Sequence, residues 1–192
     1  GMNCKLLIVT YHYVRDPKAT RSPGIHPITP AAFAAQVDDL RSRYHMATPE
    51  EAESFLLGQQ YLPGASVFLA FDDGLVDQGE AARMVLDPLG IRAAFFVTSR
   101  PLLERTPLAV HKVHWLRAHT EPTQFRQEFE AALPAEWKTG NADAAARAEA
   151  ARQYPYDAPE DALLKSRING ALPNEVVDAA TAALLRARAI SD

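Results

Sequence analysis

A single cysteine, Cys4, is present among 192 residues. No intramolecular disulfide can form and a thiolate-rich zinc centre is excluded, so any metal has to be held by histidine and carboxylate groups. Long apolar runs are missing as well. Leu6-Leu7-Ile8-Val9 behind Lys5 is too short for the apolar region of a signal peptide or for a membrane span. With Gly1 read as a remnant ahead of a native Met2, the sequence points to a cytoplasmic protein. Nor is there a basic excess: 20 Lys and Arg face 24 Asp and Glu, a formal net charge of -4. Nucleic acid is therefore not an expected partner, because phosphate binding relies on clustered cations. No glycine-rich phosphate loop follows any apolar run, which weighs against a nucleotide-binding domain.

What is present is a globular composition, 47% hydrophobic and 23% charged, in a chain long enough for one core or for a small domain with a helical appendage. The first hundred residues alternate short apolar strands with capped helices. Residues 5–11 (KLLIVTY) are β-branched and aromatic with little alternation, the pattern of a strand buried on both faces of a parallel sheet. A Pro- and Gly-containing loop follows over residues 12–29. Thr29-Pro30 then caps a helix whose Phe33, Val37, Leu40 and Tyr44 form one stripe. A short strand is expected over 45–47. Thr48-Pro49-Glu50-Glu51 is a capping box opening a helix through about Leu57. Residues 66–71 (SVFLAF) read as a strand, 78–86 as a helix, and 92–98 (RAAFFVT) as another buried strand. That rhythm predicts an α/β fold with parallel strands and right-handed crossovers, open or closed into a barrel.

From Leu102 onward only helical segments separated by prolines remain. They are marked by Phe125, Phe129 and Leu133, by the Ala-rich run 141–152, by a helix opening at Asp157-Ala158-Pro159-Glu160 and running through about Asn169, and by an apolar face of Val176, Val177, Ala180, Leu184 and Leu185. The division expected is a β/α half-barrel over residues 2–100 and an all-helical segment over 101–192 packing on it.

Two adjacent carboxylates, Asp72 and Asp73, fall where the strand over 66–71 ends. In α/β sheets ligands bind beyond the carboxyl ends of the strands, and Gly74 permits a backbone turn that other residues avoid. A turn there aims the two carboxylates differently, one toward a divalent metal and one free as a base for water. The plain alternative is an ordinary Asp-Gly turn with Asp72 as a helix cap. His12 ends the first strand and so shares the rim with both aspartates if the sheet is parallel; as a loop histidine it would instead hydrogen-bond to backbone.

The stretch Phe68-Leu69-Ala70-Phe71-Asp72-Asp73-Gly74, followed by Leu89-Gly90-Ile91-Arg92-Ala93-Ala94-Phe95-Phe96-Val97, resembles the first signature of NodB-type polysaccharide deacetylases and the strand after it. Thr10-Tyr11-His12-Tyr13-Val14, and Phe33 through Leu40 with Tyr44, are similar to the amino-terminal part of the same family. The resemblance spans roughly residues 5–117, with an echo over 156–173 of a helical insertion found in some members. It implies a distorted (β/α) barrel that removes the N-acetyl group from an amino sugar, with Asp72 as the general base and Asp73 as a ligand of a divalent metal, zinc above others. His12 is a second candidate ligand, on the rim argument alone. The family also uses a histidine pair, H-[ST]-x-x-H. His111-Lys112-Val113-His114 has a three-residue step and no Ser or Thr after the first histidine, so it departs from that pattern; the true pair would then lie beyond Asp192. The two histidines either share a helix face as ligands or are packed at a helix start beside Trp115.

Phe95 and Phe96 read as core aromatics, His45 as structural, His26 and His119 as surface residues, and Arg188 as part of a solvated helix face. Two functional readings stand: a carbohydrate deacetylase-like hydrolase, and a catalytically incomplete half-barrel that binds or assembles. In either, the strand over 92–98 has an open edge, which the carboxy-terminal helices or a second copy of the chain would cover.

Overall fold

The computed structural model describes residues 5–18 and 25–189. Cys4 and the middle of the loop after the first strand lie outside them. The chain divides into two compact units, Gly1–Leu103 and Glu104–Asp192.

The first unit is built around β3 (Ala65–Asp72), in which every residue from Ser66 to Phe71 is buried. β1 (Lys5–Tyr11) runs parallel to it along its length, Lys5 opposite Ala65 and Tyr11 opposite Phe71. β2 (His45–Met46) pairs with Ser66 and Val67, and β4 (Ala94–Phe96) with Ala70, Phe71 and Asp72. A strand has two edges and β1 fills one, so β2 and β4 share the other at opposite ends. All pairings are parallel, and helices occupy the crossovers: α1 (Pro30–Arg43), α2 (Pro49–Leu56) and α3 (Val76–Ala81). A π turn (Ala82–Leu86) and a 3-10 turn (Asp87–Leu89) follow α3, and α4 (Ser99–Glu104) follows β4.

Side-chain alternation along β3 divides the core in two. Val67, Leu69 and Phe71 face Phe33 and Val37 of α1 and Leu86, whereas Phe68 and Ala70 face Ala47, Ala52 of α2 and Leu62. The caps read from the sequence are present. The Thr29 hydroxyl accepts from the Ala32 N–H at 3.1 Å. Thr48 and Glu51 exchange both bonds of a capping box, at 3.2 and 2.9 Å. Glu51 also meets His45 Nε2 at 3.0 Å.

Two strands differ from expectation. β1 is not buried on both faces: Leu7 and Ile8 are each 46% exposed. β4 has three residues rather than seven, with Phe96 59% exposed and Val97 55%. The cause is shared. β3 turns away at Asp73-Gly74, so residues after Phe96 have no ladder to join, and among the described residues β1 and β4 each pair on one edge only. Apolar composition records which side chains favour cover, not whether neighbours supply it. Phe95 and Phe96 are accordingly not core aromatics, although Phe95 stacks on Phe71 with centroids 4.7 Å apart.

The second unit contains, among the described residues, helices and turns without strands: α5 (Ala109–Ala118), α6 (Pro122–Ala132), α7 (Ala144–Gln153), α8 (Pro159–Ser166) and α9 (Asn174–Ala189). Phe125 and Phe129 of α6 pack with Leu116 of α5, Leu164 of α8, and Val177 and Leu184 of α9. Lys112 is buried but paired, its ammonium 2.8 Å from Asp178. Arg167 is buried against Glu130, Thr139 Oγ1 and the Trp137 carbonyl. Several local expectations fail. α8 ends at Ser166 and continues as a π turn (Arg167–Ala171). Asp157, ahead of α8, pairs with Lys165. Arg188 is not on a solvated face but binds Thr120 and Glu128, whereas His119 is exposed as expected and stacks on Trp115. No helix among the described residues is long and apolar enough to cross a membrane.

Candidate functional site

Parallel pairing of β1 with β3 fixes the rim. Tyr11 lies opposite Phe71, so the next residues, His12 just beyond β1 and Asp72 at the end of β3, stand side by side on the rim. His12 Nε2 stands 3.8 Å from Asp72 Oδ2, with side chains 52% and 41% exposed. This is a water-accessible pair rather than a buried ion pair. Beneath it Tyr11, Phe33 and Phe71 form an aromatic cluster with centroids 4.9 to 5.9 Å apart, and the Tyr11 hydroxyl donates to Gln36 Oε1 at 3.1 Å.

Asp73 follows in a left-handed conformation, φ 80°, and Gly74 continues it at φ 71°. A non-glycine residue held there costs about 1–3 kcal/mol and persists only where its surroundings fix it. The fixing bond is Asp73 N–H to the Phe96 carbonyl, 3.0 Å, which carries the β3–β4 ladder past the end of the strand. At Gly74 the space is closed as well as the torsion, since a Cβ would fall 2.8 Å from Val97 Cγ1. The Asp-Gly pair therefore makes a turn that rotates the Asp73 side chain away from the alternation of β3. Asp73 acts electrostatically on Tyr13, whose phenol is pushed up to about 12 by burial; Arg15 opposes this shift, while Asp73 and Asp77 add to it.

Three residues that sequence reasoning passed over hold the rim in place. Gln78 of α3, 1% exposed, donates through Nε2 to the His12 carbonyl at 2.8 Å and to the Asp72 carbonyl. Its Oε1 accepts from the Leu75 N–H at 3.1 Å. One side chain thus clamps the backbones of both rim residues. Asp77 accepts from the Val14 N–H at 2.9 Å and takes both ends of Arg15, at 3.0 and 3.1 Å. Arg15 in turn lies over the Tyr13 ring, 4.9 Å from its centroid. The loop is closed again by backbone bonds between Ile28 and the segment Tyr13–Arg15. The only sequence signal for this clamp was an acidic-amide pair at a helix start, which ordinarily reads as a local cap.

His111 and His114 sit on α5 in the second unit, ring centroids 6.4 Å apart. A catalytic zinc is held by three protein ligands and keeps a fourth position open. Among the described residues no group of three His, Cys, Asp or Glu side chains could hold an ion. Asp73 and His12 offer two donors, and the donor set on this rim does not by itself fit a resident metal.

No family model matches the chain, and no curated protein matches it. Among solved structures, IcaB from Ammonifex degensii is similar at 34% sequence identity over 52% of this chain and 41% of that one, with a TM-score of 0.45. The chain thus spans less than half the length of that protein.

Proposed function

We propose that the rim formed by His12, Asp72 and Asp73 serves the hydrolysis of an N-acyl group on an amino sugar or polysaccharide. The observation that carries this reading is the pairing of His12 with Asp72 at the carboxyl ends of two adjacent parallel strands, followed directly by Asp73 in a strained left-handed torsion. In hydrolysis a water oxygen bonds to the acyl carbon, the carbon–nitrogen bond breaks, and the amine leaves with a proton. Asp72 is placed to take the proton of the attacking water, the role of a general base. Asp73 and His12 are two donors where a catalytic zinc takes three. Incubation of the full chain with an N-acetylglucosamine oligomer tests the reading: free amine should appear, and should fail to appear with Asp72→Asn. Metal content after purification without chelator, set against Asp73→Ala, decides whether Asp73 is a ligand.

A second reading, a binding or assembly module, is favoured by one observation: Leu7 and Ile8 on β1 are half-exposed beside an edge without a partner among the described residues. Light scattering distinguishes it. A dimer that Ile8→Lys dissociates supports assembly through β1, and a monomer at all concentrations removes it.

A further inference from the structure

The second unit holds a cleft that the rim chemistry does not use. The end of α7, Tyr154, α8 and the π turn after it line an open surface depression of about 630 Å³. Its apolar lining includes Leu163, a fully buried residue, with Ala146 and Ala171. Its polar lining includes four uncharged groups joined in pairs. Ser166 Oγ donates to Gln153 Oε1 at 2.9 Å, and Asn169 Nδ2 donates to the Tyr154 hydroxyl at 2.8 Å. The two charged residues that reach the cleft are already matched, Glu149 by Arg152 and Arg167 by Glu130. A phosphate or an ammonium ligand would find no uncompensated charge there; a neutral ligand with hydroxyls and an amide finds exchangeable partners.

Two further features belong to this place. The segment Arg167–Ala171 is a π turn, with the Leu172 N–H bonded to the Arg167 carbonyl at 2.8 Å. Such turns are rare and concentrate at functional sites. Within it, Gly170 lines the cleft without a positive φ, and a Cβ there would meet no atom within 4 Å. Glycine in a helix costs about 1 kcal/mol relative to alanine, and neither torsion nor packing requires it here. What the missing side chain preserves is open space beside Asn169.

We propose that this cleft binds an N-acylated sugar ring, with Ala146 and Ala171 against the acyl methyl and ring C–H groups, and Gln153, Ser166 and Asn169 exchanging their mutual bonds for those of the sugar. The choice of sugar rests on the hydrolytic reading of the rim, but binding in the cleft requires no hydrolysis. Amide NMR spectra of the full chain titrated with an N-acetylglucosamine oligomer test it. Saturable shifts are expected within residues 146–171 and unchanged in Asp72→Asn. Gly170→Phe should weaken binding by about tenfold or more with the thermal midpoint and far-UV spectrum preserved, and Asn169→Ala should weaken it severalfold. The proposal is overturned by the absence of shifts in that segment at about 20 mM sugar, by unaltered affinity in Gly170→Phe, or by equal binding of an unacetylated glucose oligomer. Cleft shifts without acetate release would sink the hydrolytic reading and leave the cleft; acetate release without cleft shifts would do the reverse.

Discussion

Replacing Gln78 by leucine probes how the rim is held. The side chain is 1% exposed and satisfies three backbone groups, the carbonyls of His12 and Asp72 and the N–H of Leu75. Leucine has similar bulk and satisfies none of them. A buried polar group left without a partner costs about 1–3 kcal/mol, and water can reach part of this half-exposed rim, so the expected loss is about 2–4 kcal/mol rather than the full sum. Both tryptophans, Trp115 and Trp137, belong to the second unit, so their fluorescence is silent on this change. Hydrogen exchange followed by mass spectrometry reads the first unit directly. Exchange should accelerate in the segments 5–15 and 65–78 and remain unchanged after Glu104. Gln78→Glu adds a sign test. Its carboxylate would face two carbonyl oxygens, which raises its folded pKa above the unfolded value. Stability is then fullest below the unfolded pKa and is lost as pH rises through the folded one. Wild-type exchange in Gln78→Leu, to within about 0.5 kcal/mol of opening energy, would refute the clamp.

In the helical unit the Glu130 carboxyl is burdened by burial, yet hydrogen bonds from Thr139 and Arg167 outweigh this and hold it below its ordinary value of 4.5. Its stabilisation is present above pH 4.5 and lost as pH falls through the depressed value; tryptophan fluorescence should show an acid destabilisation that Glu130→Gln lacks. Gly74→Ala forces a Cβ toward Val97 as well as an unfavourable φ, at a cost of about 1–3 kcal/mol. Val97→Ala should relieve only the contact, so the double variant recovers part of the loss in urea unfolding. Asp73→Asn should bring the Tyr13 phenol down from about 12, because Asp73 is one of the charges raising it; ring NMR shifts against pH report this, and an unmoved titration would contradict their proximity.

The parts of this fold legible in the sequence are those that short-range chemistry decides. Thr29-Pro30 and Thr48-Pro49-Glu50-Glu51 carry their helix starts within four residues, and the β-branched and aromatic run of β3 needs a central place in a sheet. The adjacency of His12 and Asp72 follows once the strands before them are parallel and in register. What escaped was decided over distance. Asp77 reaches Arg15 and Gln78 reaches His12 across more than sixty residues, and no local pattern distinguishes such contacts from a helix cap. β4 is cut short by a turn in its neighbour rather than by anything in its own residues. The π turn after α8 interrupts a stretch whose apolar spacing reads as continuous helix.

The most direct measurement is the rate of acetate release from an N-acetylglucosamine oligomer by the wild-type chain and by Asp72→Asn, both shown folded by far-UV circular dichroism. A general base contributes about 10²–10⁴-fold, so release by the wild type and a fall of at least about a hundredfold in the variant are predicted. No release by the wild type, or equal rates in the two proteins, would contradict a hydrolytic role for the rim.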